Sequence, residues 1–483
     1  MFFKGLLGYL PANILQGIIG FATLMVFTRV LTPEEYGQYA IAYGVTTLAQ
    51  TVFFTWIEAS MARFYVPESR DNPDAPVLYG TLARLFVYVF AVFALVCAAG
   101  LWLWQGHAAL KLAIGFGLGT TVFRSALKIV QEQRRSEGRV TQASMIDMLQ
   151  TGGGFAIGVT CALAGIGGGS PVLGAGLIAA LCLPLFARQD FARAAKGTFD
   201  AARARAYAHY GFPVSASLIL TLALYTVDRL LIAHYLSEAE AGAYHAGYSV
   251  ASRILDVLFI WFGAAGTPAM VQALELGGAG ALRTCARQQL NTMAFILFPA
   301  VAGLVMVTPA LGGLLIGEAL REQALRVTPL ISLGALLSGL NTYYFLQAFT
   351  LAKKTRLLVA AMALPAVSNI VLNVLLIPVM GLMGAALATA LSFAIGLTGS
   401  WLLGLRTLAL PVPSLALFKT AASAVFMMAV LSALPATGGL GELILKVTVG
   451  AVVYGSLAWL LDLNGIRGPV FRIYQRLRER VWA

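Results

Sequence analysis

The sequence predicts an all-α polytopic membrane protein with about fourteen transmembrane helices, in two pseudo-symmetric six-helix lobes followed by two further helices. Three observations lead there. Apolar residues make up 59% of the 483 residues and charged residues only 11%, too little charge to cover a soluble surface of this size. The apolar residues fall in continuous blocks of about twenty, the helical length that crosses a bilayer's hydrocarbon core, rather than in the short alternating segments of a membrane barrel. One segment also recurs about two hundred residues later.

In chain order the expected spans of the first lobe lie at about 9–28, 39–61, 82–104, 110–130, 143–165 and 171–187. Those of the second lie at about 212–233, 243–265, 291–316, 327–350, 357–378 and 381–403, with two more at 415–434 and 442–461. The first apolar run has no small-residue cleavage site at its end, so it is expected to stay as a helix rather than serve as a signal peptide. Lys and Arg concentrate in alternate loops, among them Arg134, Arg135, Arg188, Arg193, Lys196, Lys353, Lys354 and Arg356. Arg467, Arg472, Arg476, Arg478 and Arg480 add to them near the end. By the positive-inside rule these segments and both termini are cytoplasmic. The net charge of +12 then faces anionic lipid heads, not nucleic acid.

The repeat sets the lobes. Leu31, Glu35, Gly37, Tyr39, Tyr43, Val45, Val52, Phe54 and Trp56 align without gaps on Leu236, Glu240, Gly242, Tyr244, Tyr248, Val250, Val257, Phe259 and Trp261. A second echo, Pro171, Val172, Gly174 and Ala179 on Pro378, Val379, Gly381 and Ala386, closes each half. Six spans separate the partners, so both copies insert the same way round, as parallel repeats do. Pro11 and Pro213 open the halves, where a first helical turn tolerates proline. The expected organisation is 1–187 for the first lobe, 188–211 for a cytoplasmic linker, 212–403 for the second lobe, 404–462 for two extra helices, and 463–483 for a basic tail. In the linker Phe191, Ala195, Phe199 and Ala202 draw an apolar stripe on a basic helix, which belongs on a membrane surface.

Little points to catalysis. Cys97, Cys161, Cys182 and Cys285 are isolated, the four histidines form no ligand cluster, and no nucleotide-binding or nucleophile-elbow motif occurs. Neither an enzyme nor a metal or other cofactor is expected.

The stretches "TRVLTPEEYGQYA", "VDRLLIAHYLSEAEAGAYHAGYSVA" and "NVLLIPVMGLMGAALATALS" resemble signatures of Wzx-type polysaccharide flippases (O-antigen or exopolysaccharide), in the multidrug/oligosaccharidyl-lipid/polysaccharide exporter superfamily. The resemblance implies a V-shaped cavity between two six-helix lobes in a bacterial inner membrane. It also implies an isoprenoid-diphosphate-linked oligosaccharide carried by alternating access from the cytoplasmic to the periplasmic leaflet for lipopolysaccharide or exopolysaccharide synthesis. A cation-coupled multidrug exporter or a lipid II flippase of the same superfamily is the alternative.

Such a substrate calls for cations to hold the diphosphate, and each charge inside a span is a candidate. Charges without a counterpart in the other copy stand out. Arg253 aligns with Leu48 and Asp256 with Thr51. Arg253 would hold phosphate oxygens bidentately, or would pair structurally with Asp256, three residues on along one helix face. Arg124 begins a stripe through Lys128, Gln131 and Arg135, either a slide for the headgroup or interfacial snorkelling. Asn13, Gln16 and Tyr248 are candidates for sugar contact. Asp228, Asp256, Asp147 and Glu58 are candidates for proton or sodium coupling, with structural pairing as the alternative. Lipid portal formation or contact with polymerase and assembly proteins is left to the last two spans.

Overall fold

The computed structural model describes residues 2–436 and 438–468, with side-chain surroundings from residue 11 onward except at Asp71. Arg472, Arg476, Arg478 and Arg480 of the expected basic tail lie outside the described residues. The helices are α1 (Phe2–Val30), α2 (Pro33–Phe53), α3 (Thr55–Asp71), α4 (Pro76–Leu103), α5 (Ala108–Ser136), α6 (Val140–Leu163), α7 (Ser170–Phe186), α8 (Arg188–Lys196) and α9 (Ala201–Tyr235). They continue with α10 (Glu238–Leu315), α11 (Glu318–Leu340), α12 (Gln347–Leu351), α13 (Thr355–Met380), α14 (Leu382–Leu405), α15 (Ser414–Ser432) and α16 (Gly439–Leu460). No strand occurs among the described residues.

The all-α membrane class therefore holds. Twelve of the described helices are long and apolar enough to cross a bilayer, or thirteen if the pair α2 and α3, bent by 50°, makes one span. The expected fourteen separate spans are not confirmed by this count, in which α10, two helices joined across a kink within 78 residues, counts once. Gly278 interrupts it (φ 65°, ψ −163°), a left-handed backbone open to glycine at little cost. The expected spans at 243–265 and 291–316 lie on its two legs.

Two further expectations are corrected. Pro11 and Pro213 sit inside α1 and α9 rather than in a first turn, since both helices begin earlier than their apolar runs. The linker is not one striped helix either. α8 ends at Lys196, and Asp200 caps α9 by accepting hydrogen bonds from the backbone N–H of Ala202 and Arg203 at 2.8 and 3.1 Å. Phe199 and Ala202 consequently lie beyond the break.

The chain divides into two compact units, Met1–His245 and Ala246–Ala483. In the first, α5 packs against α2, α3 and α7, while α6 packs against α1 and α7. The α6–α7 contact is backbone-close because its faces are glycine: a Cβ on Gly174 would fall 2.4 Å from the Gly158 nitrogen, the small-residue packing that membrane helices use in place of a hydrophobic drive. In the second unit α14 packs against α11 and α13, and α15 pairs with α16. Leu95 and Trp102 on α4 are 72% and 80% exposed, the inverse of a soluble surface.

The repeated segment builds the same helix start twice. Thr32 Oγ1 accepts from the Glu35 N–H at 3.2 Å while Glu35 Oε2 accepts from the Thr32 N–H at 2.9 Å, a complete capping box. In the second copy Ser237 Oγ accepts from the Glu240 N–H at 3.2 Å. Matched glycines bring the two starts together: a Cβ on Gly242 would sit 2.9 Å from the Gly37 nitrogen. Gln38 Nε2 then donates to Glu238 Oε2 at 2.8 Å.

Candidate functional site

Each unit contains a polar cluster on helices long and apolar enough to cross a bilayer. In the first, Glu58 is placed by the break at Phe54, which ends α2 and starts α3 at a new angle. It is buried, 7% exposed, and accepts from Gln50 Nε2 at 3.3 Å. Lys128 and Arg124 of α5 lie close enough to act on Glu58 electrostatically, and Tyr43 and Tyr39 stand near Arg124. One candidate cation and one candidate carboxylate are thus neighbours.

The rest of the α5 stripe is occupied by protein partners. Lys128 Nζ donates to Gln131 Oε1 at 3.0 Å, and Gln131 Nε2 to the Ala143 carbonyl at 3.2 Å. Arg135 bonds Glu132 at 2.7 Å and Asp147 at 3.1 Å. Asp147 is therefore held in an ion pair near the end of α5. Asn13 and Gln16 are exposed on α1.

Asp228 and Arg229, adjacent on α9, are both buried and face different partners. Tyr244 Oη donates to Asp228 Oδ2 at 3.1 Å. Arg229 Nε lies 3.1 Å from His245 Nδ1 and its guanidinium is 6.0 Å from the Tyr244 ring centre. The matched repeat position Tyr244 thereby braces a charge pair that the other copy lacks.

In the second unit Tyr248 and Arg253 are half-buried on α10 and Asp256 is exposed. Arg253 and Asp256 interact through space without a direct ion pair, and the buried Arg253 Nε has no hydrogen-bond partner among the described residues. Asp256 also acts on Tyr343. Tyr343 stands on a π-helical turn, Asn341–Phe345, a distortion that favours functional sites. Its ring stacks on Phe259 at 5.7 Å and 6°, and Gln289 Nε2 on the second leg of α10 donates to its carbonyl at 3.0 Å. A guanidinium with an unfilled donor, an open carboxylate and an aromatic face can together take an anionic headgroup bearing sugars.

Gln50, Gln289 and Tyr343 escaped the sequence reading. Gln50 aligns with Leu255, so the asymmetry that exposed Arg253 also marks it. Tyr343 has no such signal, because the π turn depends on packing. Among the described residues no group of three or more His, Cys, Asp or Glu is placed to hold a metal ion.

These features define a multi-pass helical membrane protein in which one segment recurs and cations lie within apolar helices. Residues 26–325 match the family described as polysaccharide biosynthesis protein, and with more than half of its length matched the chain belongs to that family. Its fold is shared with an inward-closed lipid II flippase MurJ (TM-score 0.75, 14% identity, covering 95% of this chain and 99% of that one). It is shared as well with an inward-facing multidrug resistance MATE transporter of the MOP superfamily (TM-score 0.66, 14% identity, 81% and 94% covered). An outward-facing MATE transporter gives a TM-score of 0.56 at 15% identity, with 83% and 95% covered. No curated protein sequence matches. The expected likeness to flippases and exporters is met at the level of the fold.

Proposed function

We propose that this chain is a flippase that moves an isoprenoid-diphosphate-linked oligosaccharide from the cytoplasmic to the periplasmic leaflet of a bacterial inner membrane, supplying surface polysaccharide synthesis. The observation that carries the reading is Arg253, a half-buried guanidinium in an apolar helix whose Nε has no hydrogen-bond partner among the described residues. A charge at such depth costs several kcal/mol unless a partner is met, and a diphosphate is an anion of the right shape for a guanidinium fork. Arg124, with Glu58 and Lys128 nearby, offers a second contact on the headgroup's path. Family membership supplies the polysaccharide context, and the fold is one used by flippases and exporters.

The protein makes and breaks no covalent bond in this scheme. It exposes the headgroup alternately to the two faces, with both termini cytoplasmic. Asn13, Gln16 and Tyr248 contact sugars, and Glu58, Asp228 or Asp256 exchanges the coupling proton or sodium. Lipid-linked oligosaccharide should collect on the cytoplasmic leaflet of a deletion strain, read with sidedness-specific enzymes on labelled precursor. Wild type should restore periplasmic exposure, and Arg253→Ala at equal expression should not. Normal periplasmic exposure in the deletion strain would overturn the flippase reading in favour of an exporter of other molecules.

A further inference from the structure

Outside these clusters, the first unit contains a cavity of about 210 Å³ bounded by α3, α4, α5 and α8. Its lining is graded. Tyr79, Gln133 and Asp190 stand at one end, where α4 begins, α5 ends and α8 crosses. Apolar side chains line the rest, among them Leu82, Ala83, Phe86 and Val87 of α4 and Ala126 and Ile129 of α5. From Tyr79 to Val87 is about 12 Å along a helix, so the polar end lies at the membrane interface and the apolar end reaches well into one leaflet. Val87 is 60% exposed, which opens that end toward lipid.

The polar end is built and held. Arg134 Nη2 bonds Asp190 Oδ2 at 2.8 Å and the Phe186 carbonyl at 3.0 Å, and Tyr79 Oη donates to Asp190 Oδ1 at 2.9 Å. The chain after α8 is tied to α4: Thr198 N–H donates to the Pro76 carbonyl at 3.2 Å and Arg84 Nη2 to the Gly197 carbonyl at 3.3 Å. Gln133, fully buried, lines the cavity, and its side chain interacts with the Tyr65 hydroxyl while an Nε2 hydrogen stays unfilled. It is a donor available to an oxygen entering from the interface. Arg193 flanks that end, 3.5 Å from the Tyr79 hydroxyl and 3.6 Å from Asp74, and the same two helices carry Arg84 on α4 and Lys196 at the end of α8.

We propose that this cavity is a resident site for one acyl chain of an anionic phospholipid, with an ester oxygen meeting Gln133 and the phosphate meeting Arg193 and Lys196. The apolar depth selects a hydrocarbon chain, and the volume lies below the ~300–1,000 Å³ of a drug-sized ligand site. The adjoining positive charge selects an anionic head, each Lys or Arg near the surface contributing to such attraction. A site walled by one unit and fixed by a hydrogen-bonded strap suits a lipid that stays, not one that is transported. The inference does not depend on which molecule the protein moves.

The test uses the purified full chain in detergent with dioleoyl phosphatidylglycerol or dioleoyl phosphatidylcholine added, reading lipid retained by native mass spectrometry and the thermal midpoint. Wild type should retain one phosphatidylglycerol in preference to phosphatidylcholine and gain about 3 °C or more from it. Ala83→Phe, which fills the cavity, should lose that lipid and that gain; Leu95→Ala, on the exposed face of α4, should keep both. Arg193→Gln with Lys196→Gln should bind either lipid without preference. Equal retention of both lipids by wild type, or unchanged retention in folded Ala83→Phe, would overturn the proposal. If Ala83→Phe does not fold, an unchanged preference in the double Gln variant overturns it instead. Displacement of phosphatidylglycerol by an equimolar isoprenyl phosphate would also overturn it, giving the cavity to a carrier chain.

Discussion

Replacing Asp190 by Ala should unfasten α8 from the first unit. The carboxylate and Arg134 are 2.8 Å apart, with side chains only 9% and 8% exposed. Removing one partner of a buried pair costs about 3–5 kcal/mol, because the other charge stays buried. Glu137, 3.9 Å from Arg134, compensates part of this, so the lower end, about 3 kcal/mol, is expected. For a unit of this size each kcal/mol moves the midpoint about 2–4 °C, giving a fall of roughly 6–12 °C. Tyr79 also loses its acceptor, so the change adds to the fall. The assay is tryptophan fluorescence on heating in a fixed detergent, paired with limited proteolysis of the segment 188–211. Arg134→Gln with Asp190→Asn removes both charges and keeps hydrogen-bonding groups, so it should recover most of the loss. A midpoint within about 1 °C of wild type for Asp190→Ala, or a double variant as weak as the single one, would refute the reasoning.

Gly37→Ala should prevent normal folding or cut membrane expression severely, since the new Cβ would lie 1.7 Å from the Glu238 carbonyl oxygen; folded yield by size-exclusion chromatography checks it. Lys446→Met should destabilise the second unit by about 3 kcal/mol or more, because Glu442, 2.5 Å away and 1% exposed, would keep a buried charge. Adding Glu442→Gln should restore much of the midpoint in the same thermal assay. Thr32→Ala should cost about 1 kcal/mol by removing the cap acceptor of α2, visible as a small drop in that midpoint.

The helical membrane class was legible because apolar blocks of bilayer length leave no other chain geometry with satisfied backbone groups. The recurring segment was legible too, and its shared outline has a local cause: Thr32 with Glu35 and Ser237 with Glu240 each start a helix. What the aligned residues become beyond that start was not legible. Phe54 ends α2 while its counterpart Phe259 lies in an unbroken stretch of α10, a difference set by surrounding helices rather than by the matched residues. Broken symmetry singled out Arg253, and the structure leaves its Nε unfilled. The α5 stripe misled in part, because Arg135 is bonded to Asp147, twelve positions away on another helix. Such partnerships arise only once helices pack, and helical spacing reports one helix at a time.

The central claim meets its most direct test in vesicles containing only the purified protein and an isoprenyl-diphosphate oligosaccharide labelled on its sugar. Transfer to the inner leaflet is followed by loss of access to an external glycosidase. Transfer is expected in vesicles with wild type, slowed roughly tenfold to hundredfold by Arg253→Ala, the loss of one charge-assisted contact, and partly recovered by Arg253→Lys. Transfer no faster than in protein-free vesicles, or an Arg253→Ala variant as fast as wild type, would contradict that claim.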